Sequence, residues 1–281
     1  MVTRTRAQAG PKIESLTSDK EFINLFVYSD SGVGKTVLAG SHPRNLILAA
    51  DRGTISAARQ GSKAKVIQLK DWEEFEEAAK WVRAGGFANY DWITIDSATM
   101  LRERCMRHTL ERENAKSAAR DLYIPAQPDH QKVQNIMKRI AEDFVDLKVN
   151  TLFTGLTMRI TNDDGETRVL PMIHGQNGDT AHYIAGLFDS LGYMELARRR
   201  RKGDDPDEPS GSEVRRIHWQ PYGEYVGKDR FGVLAPYTDD ITLPEIQKRI
   251  EGSGSPEAST KARPARTATR RTATTRRRTT A

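Results

Sequence analysis

The stretch Ser29-Asp30-Ser31-Gly32-Val33-Gly34-Lys35-Thr36 is the segment best suited to chemistry. Glycines spaced this way let the backbone curl until several N–H groups point at one phosphate. Lys35 can then reach the β- and γ-phosphates of a nucleotide, and the Thr36 hydroxyl can ligate a divalent cation. The pattern predicts a site for ATP and Mg²⁺ over Ser29–Thr36. Ser29 stands where such loops usually begin with glycine, so a serine must accept the turn there.

A carboxylate has to join the loop if a metal is to be held. Trp92-Ile93-Thr94-Ile95 is an apolar strand that ends in Asp96. In an open α/β sheet such a residue lies at the C-terminal edge, where ligands bind. Asp96 is therefore expected to hold Mg²⁺ with Thr36. The competing reading is a strand-end aspartate that caps a helix. Hydrolysis also needs a group that orients water. Asp51, which closes the strand Leu46–Ala50, is the candidate, although Asp51-Arg52-Gly53 is equally good turn chemistry. Thr154 and Thr157, late in Thr151–Thr157, could sense the terminal phosphate or could simply belong to the sheet.

These residues need a scaffold, and the apolar pattern supplies one. Strands are expected at 23–28, 45–50, 65–69, 91–96 and 151–156. Helices are expected to begin near Lys35, over 71–83 with Asp71 and Glu74 as a capping box, and over 131–147. Alternation of this kind implies a mostly parallel sheet flanked by helices. The stretch 188–236 has shorter runs broken by Gly and Pro, which suggests antiparallel additions. Residues 1–18 read as a flexible leader, 19–251 as one domain and 252–281 as a disordered basic tail. The single Cys105 excludes an intramolecular disulfide, and no apolar run is long enough to cross a bilayer.

Charge is divided unevenly. The chain has 281 residues and a net charge of +6. Lys261, Arg263, Arg266, Arg270, Arg271, Arg276, Arg277 and Arg278 lie in the tail against the one acid Glu257, so the tail holds +7 and the rest −1. A tail of Ala, Thr and Arg behind a Gly-Ser-Gly-Ser-Pro linker cannot bury a core. It reads either as a nucleic-acid arm that neutralises phosphates or as a solubilising extension. The bases Arg198–Lys202 are followed by Asp204, Asp205, Asp207 and Glu208, which reads as a solvated hairpin tip.

Taken in order, the phosphate loop, the carboxylate after the second strand and Ile93-Thr94-Ile95-Asp96-Ser97 resemble the RecA-like ATPase core. The Asp-Ser ending resembles RecA-type proteins more than AAA+ proteins. Over about 20–250 the chain looks like the phage-encoded RecA-like ATPases of the Sak type, which assist single-strand DNA annealing. Leu170–Gly175, Leu187-Phe188-Asp189 and Val226–Gly232 resemble later segments of that group. The resemblance implies a homo-oligomeric ring or filament on single-stranded DNA, in the cytoplasm of a bacterial host, with a single-strand DNA-binding protein as a candidate partner. It implies that Lys228 and Arg230 act on the nucleotide of a neighbouring subunit, and that 157–180, with Arg159 and Arg168, contacts DNA. Asp51 departs from the glutamate common in the family. An ATP-driven motor, and a nucleotide-binding recruitment protein with little turnover, are the alternative functions.

Overall fold

The computed structural model describes residues 22–162, 164–173, 175, 178–199 and 211–252. The leader 1–18, the hairpin tip from 200 to 210 and the tail beyond Gly252 lie outside the described residues.

Six strands run parallel at the centre of the domain. They are β1 (Asn24–Tyr28), β2 (Asn45–Ala49), β3 (Lys65–Gln68), β4 (Trp92–Asp96), β5 (Asn150–Gly155) and β8 (Ser190–Arg198). Their order across the sheet is β3-β2-β4-β5-β1-β8, so β5 separates the loop-bearing β1 from the Asp96-bearing β4. Beyond β8 the sheet turns antiparallel through β9 (Glu213–His218) and β11 (Tyr237–Asp239), and the short β10 (Lys228–Asp229) also pairs with β8. A separate antiparallel hairpin joins β6 (Thr157–Thr161) to β7 (Thr167–Pro171). This is the expected mixed α/β fold with antiparallel strands late in the chain.

Strand alternation sends each central strand to two cores. Phe26 and Tyr28 of β1, Leu46 and Leu48 of β2, and Ile93 and Ile95 of β4 enter one of them. There they meet α3 (Trp72–Trp81), α4 (Ala98–Lys116), α5 (Gln127–Val145) and α6 (Asp179–Leu187). Leu25, Val27, Ile47 and Ala49 enter the other, against α1 (Lys35–Ala39) and α7 (Leu243–Glu251). Both faces are covered, which explains why β1, β2 and β4 are buried throughout. The short α2 (Thr54–Arg59) follows Asp51 and completes the wall beside α1.

Helix ends follow local chemistry. Asp71 accepts the Glu74 N–H at 2.9 Å as the expected N-cap, whereas Glu74 reaches back one residue further than a capping box requires, to the Lys70 N–H at 2.7 Å. Helix α3 ends at Trp81 in a single π turn, Val82–Gly86, where Gly85 takes φ 99°. Helix α5 starts four residues before the expected 131. Pro128 is tolerated in a first turn, and the Asp129 carboxylate accepts the Ala126 N–H at 2.7 Å. Among the described residues no helix is long and apolar enough to cross a membrane.

Candidate nucleotide site

The loop between β1 and α1 is tied to the sheet at its start. The Ser29 N–H donates to the Gly155 carbonyl at 3.1 Å, and Ser29 is fully buried. Positive φ falls on Gly32 (82°) and Gly34 (124°), not on Ser29. The expected difficulty of a serine at the first position therefore does not arise, because the turn demands glycine only at the two later positions. The Ser29 hydroxyl contributes instead: it accepts from Lys35 Nζ at 2.8 Å and donates to the Asp30 carbonyl at 2.8 Å.

Lys35 folds back along the loop. Its ammonium donates to the carbonyls of Ser29 (3.0 Å) and Asp30 (2.9 Å) as well as to the Ser29 hydroxyl. Burial brings its pKa down to about 8, against the pull of Asp96, Asp51 and Asp30 in the other direction. Lys35 is thus a poised cation at the mouth of a curled backbone.

Asp96 sits at the end of β4, 1% exposed. Its Oδ2 accepts the Thr36 hydroxyl at 2.6 Å, and its Oδ1 accepts the hydroxyl of Thr154. Burial raises its pKa, opposed by those two hydrogen bonds. Thr154, expected either to sense phosphate or to belong to the sheet, thus donates to the carboxylate. Thr157 bonds the Asp30 side chain. The helix-capping alternative for Asp96 belongs to its neighbour: Ser97 Oγ accepts the Met100 N–H at the start of α4.

Asp51 makes the turn that its sequence suggests, and it stands at the loop as well. Its Oδ1 accepts the Gly53 N–H at 2.8 Å, making the turn into α2. It also lines the loop cavity, and a Cβ at Gly53 would stand 3.0 Å from Asp51 Oδ1 and 3.1 Å from Thr36 Oγ1. The Asp51 carboxylate and the Thr36 hydroxyl therefore face one small space.

The sequence reading missed Arg215. It comes from β9, far along the chain from the loop, yet it lines the same cavity of about 460 Å³ as Gly34, Lys35, Thr36, Asp51 and Asp96. A Cβ on Gly34 would collide with Arg215 Nε and Cδ. No sequence signal marks it, since Arg215 and Arg216 are adjacent bases in an otherwise ordinary strand.

Other expected residues lie elsewhere. Lys228 and Arg230 are at the opposite end of the sheet, because β10 pairs with the start of β8 (Lys228↔Leu191) whereas the loop follows the end of β1 (Tyr28↔Tyr193). There Lys228 Nζ donates to the Ala185 carbonyl (2.7 Å) and Arg230 to the Gly186 carbonyl (2.6 Å), closing the C-terminus of α6. Within one chain they do not join the loop. In the hairpin, Arg159 pairs with Glu224 and Arg168 with Glu166, and Asp163 of its turn is outside the described residues, as is His174. Arg199, at the base of the charged hairpin tip, pairs with Asp239 and Asp240.

The arrangement suits a phosphorylated ligand with a divalent ion. Among the described residues the buried Nε of Arg215 has no hydrogen-bond partner, and Gly34 leaves a cradle that a side chain would fill. Thr36 and Asp96 offer one hydroxyl and one carboxylate, a donor set that Mg²⁺ accepts when phosphate oxygens and water complete its shell. A curled loop after β1, a buried lysine and a strand-end carboxylate on a parallel sheet define a P-loop nucleoside triphosphatase. The chain belongs to the AAA domain family, whose model matches residues 21–231. It is accordingly an ATP-binding P-loop ATPase, of a family that typically works with Mg²⁺. No curated protein matches the chain.

Proposed function

We propose that this protein hydrolyses ATP at the loop cavity and acts on single-stranded DNA, in annealing or recombination, as an assembly of identical copies. The observation that carries the ATPase part is the meeting of Lys35, Thr36, Asp51 and Asp96 around one cavity at the C-terminal edge of the sheet. Lys35 would exchange its Ser29 and Asp30 acceptors for β- and γ-phosphate oxygens. Thr36 and Asp96 would hold Mg²⁺, which when bound neutralises charge on the phosphates. Asp51, fixed by its bond to the Gly53 N–H, would orient the attacking water.

The DNA part rests on the +7 tail behind a near-neutral body and on the likeness to RecA-like annealing ATPases. Lys228 and Arg230 would reach only the nucleotide of an adjoining copy, so turnover would depend on assembly. A single-strand DNA-binding protein is the partner class that fits this role. A recruitment protein with little turnover is the second reading, favoured by the turn that engages Asp51 Oδ1.

The test is ATP turnover with and without single-stranded DNA, for the full chain and for Lys35→Ala. Stimulation by DNA that disappears in the variant is expected. Turnover unaffected by DNA would remove the DNA-dependent reading, and turnover surviving in Lys35→Ala would remove the loop from the chemistry.

A further inference from the structure

We infer that Arg215 is a phosphate clamp acting within its own chain, holding the phosphate nearest the sugar while Lys35 holds the distal ones. The inference rests on the nucleotide reading above.

Its backbone is held from both sides. Arg215 pairs with Leu196 of β8, its N–H donates to Asp240 Oδ1 at 2.9 Å, and its carbonyl accepts the Asp240 N–H at 2.8 Å. From that fixed Cα the side chain passes over Gly34, an approach open only because Gly34 has no Cβ.

The guanidinium is left with an unmet need. Its Nε is buried without an acceptor among the described residues. The neighbouring bases are satisfied: Arg216 pairs with Asp239, and Arg199 with Asp239 and Asp240. Arg215 makes no ion pair among the described residues. Asp240, the acid bonded to the Arg215 backbone, spends its carboxylate there and on Arg199. Buried donors are nearly always paired, and an unpaired one in a cavity that already holds a second cation, Lys35, is costly without an anion to share.

The cavities say which anion. A second cavity of about 410 Å³ adjoins the loop cavity, and Val37, Gln60 and Arg215 line both, so Arg215 stands where the two meet. The second cavity has apolar walls from Leu38, Met194 and Ile217, with Ser62 and Asp240 as polar groups. Such a mixture suits a sugar and base. A nucleotide with its distal phosphates in the loop would enter this cavity with its nucleoside, and the phosphate crossing the junction is the one bonded to the sugar. Lys35 is bound to the loop's other end, at Ser29 and Asp30. A guanidinium fork at the junction and an ammonium at the distal end divide the polyphosphate between them.

The experiment compares wild type, Arg215→Gln and Arg215→Lys by calorimetric titration with Mg-ATP and Mg-ADP, and by thermal unfolding with and without nucleotide. Arg215→Gln is expected to weaken ATP and ADP alike, roughly tenfold to a hundredfold, the range for removing one charged hydrogen bond. Arg215→Lys should fall between, since it keeps the charge and loses the fork. Without nucleotide, Arg215→Gln should melt at or above wild type, because an unpaired cation is replaced by a neutral amide, while its nucleotide-induced stabilisation shrinks. Equal ATP affinity in all three proteins would overturn the clamp and leave the nucleotide reading standing. A nucleotide-free Arg215→Gln that melts well below wild type, with affinity unchanged, would make Arg215 structural and overturn it too. A wild type that binds neither nucleotide would remove both readings.

Discussion

Asp96→Asn should separate stability from activity, and the structure gives the sign of each. The carboxylate is 1% exposed and accepts hydroxyl hydrogen bonds from Thr36 (2.6 Å) and Thr154. Asparagine has the same shape. Its carbonyl can still accept one hydroxyl, and its amide can donate to the other once that hydroxyl rotates. Each bond then falls from charged to neutral, a loss of about 1–1.5 kcal/mol per bond. Against that stands the desolvation of a buried carboxylate, several kcal/mol per ion. The direction of the Asp96 pKa decides between them. It is raised, with burial as the largest cause, so the two hydroxyls and Lys35 do not offset what burial costs. Asp96→Asn is therefore expected to match or exceed wild type in nucleotide-free stability at neutral pH, with about 1 kcal/mol appearing as roughly 2–4 °C in Tm. The linkage has a definite sign. A carboxyl whose folded pKa is raised binds more protons folded than unfolded between its unfolded and folded values, so stability falls as pH rises across that window. Asparagine removes that fall. Turnover should meanwhile drop by about 10²-fold or more if Asp96 holds the metal as proposed. The assay is thermal unfolding in metal-free buffer across pH beside Mg²⁺-dependent ATP turnover. A variant melting several degrees below wild type, or one that turns over ATP at close to the wild-type rate, would refute the reasoning.

Lys35, with its pKa brought down to about 8, should leave a mark on both stability and binding. Between pH 8 and about 10.5 the unfolded chain holds a proton that the folded one has lost, so nucleotide-free stability from this group rises with pH there, and ATP affinity should fall over the same range as the cation is lost. Lys35→Met should flatten both trends in parallel unfolding and titration series. Gly34→Ala combines a positive φ of 124° with a collision against Arg215 and should cost about 1–3 kcal/mol. Part of that cost should vanish in Gly34→Ala/Arg215→Ala, and strictly additive urea-unfolding energies would show that the two groups do not touch. Deleting 257–281 should lower the salt slope of single-strand DNA binding by up to about 0.7 for each phosphate no longer neutralised, and an unchanged slope would make the tail a bystander.

The parts that could be read from sequence are those in which one local rule decides. Strands β1, β2 and β4 are short apolar runs ending in turn residues, and each lies within a residue or two of its expected span. Asp71 caps α3 as its spacing to Glu74 predicts. Helix α4 could not be read in this way. Its buried face includes Thr99, Arg102 and Thr109 beside Leu101, Cys105 and Met106, so polar residues interrupt the apolar stripe that would announce a helix. Asp51 was legible as a turn residue and as a candidate for catalysis, and no local rule could reveal that one carboxylate makes the turn and also lines the loop cavity.

Charges in the cavity nearly cancel, as they do in the body of the chain: Lys35 and Arg215 bring two positive charges, and Asp51 and Asp96 two negative. Balance would make a poor site for a polyphosphate if the charges were mixed. They are sorted instead. Thr36 bridges toward both carboxylates, bonding Asp96 and standing beside Asp51 across Gly53. Lys35 lies along Ser29 and Asp30, and Arg215 lies over Gly34. A phosphate chain alone would meet attraction from the cations and repulsion from the carboxylates. With a divalent ion the carboxylate side becomes attractive as well, and both halves favour the same ligand. A count of charges along the sequence cannot reveal this, because Arg215 reaches the loop only through an antiparallel extension built at the far end of the chain. Removing Mg²⁺ should therefore weaken ATP binding in wild type far more than in Asp96→Asn, where half of the repulsion is already gone. Titrations of both proteins with and without EDTA measure that difference, and an equal loss in the two would mean that Asp96 does not face the bound phosphates.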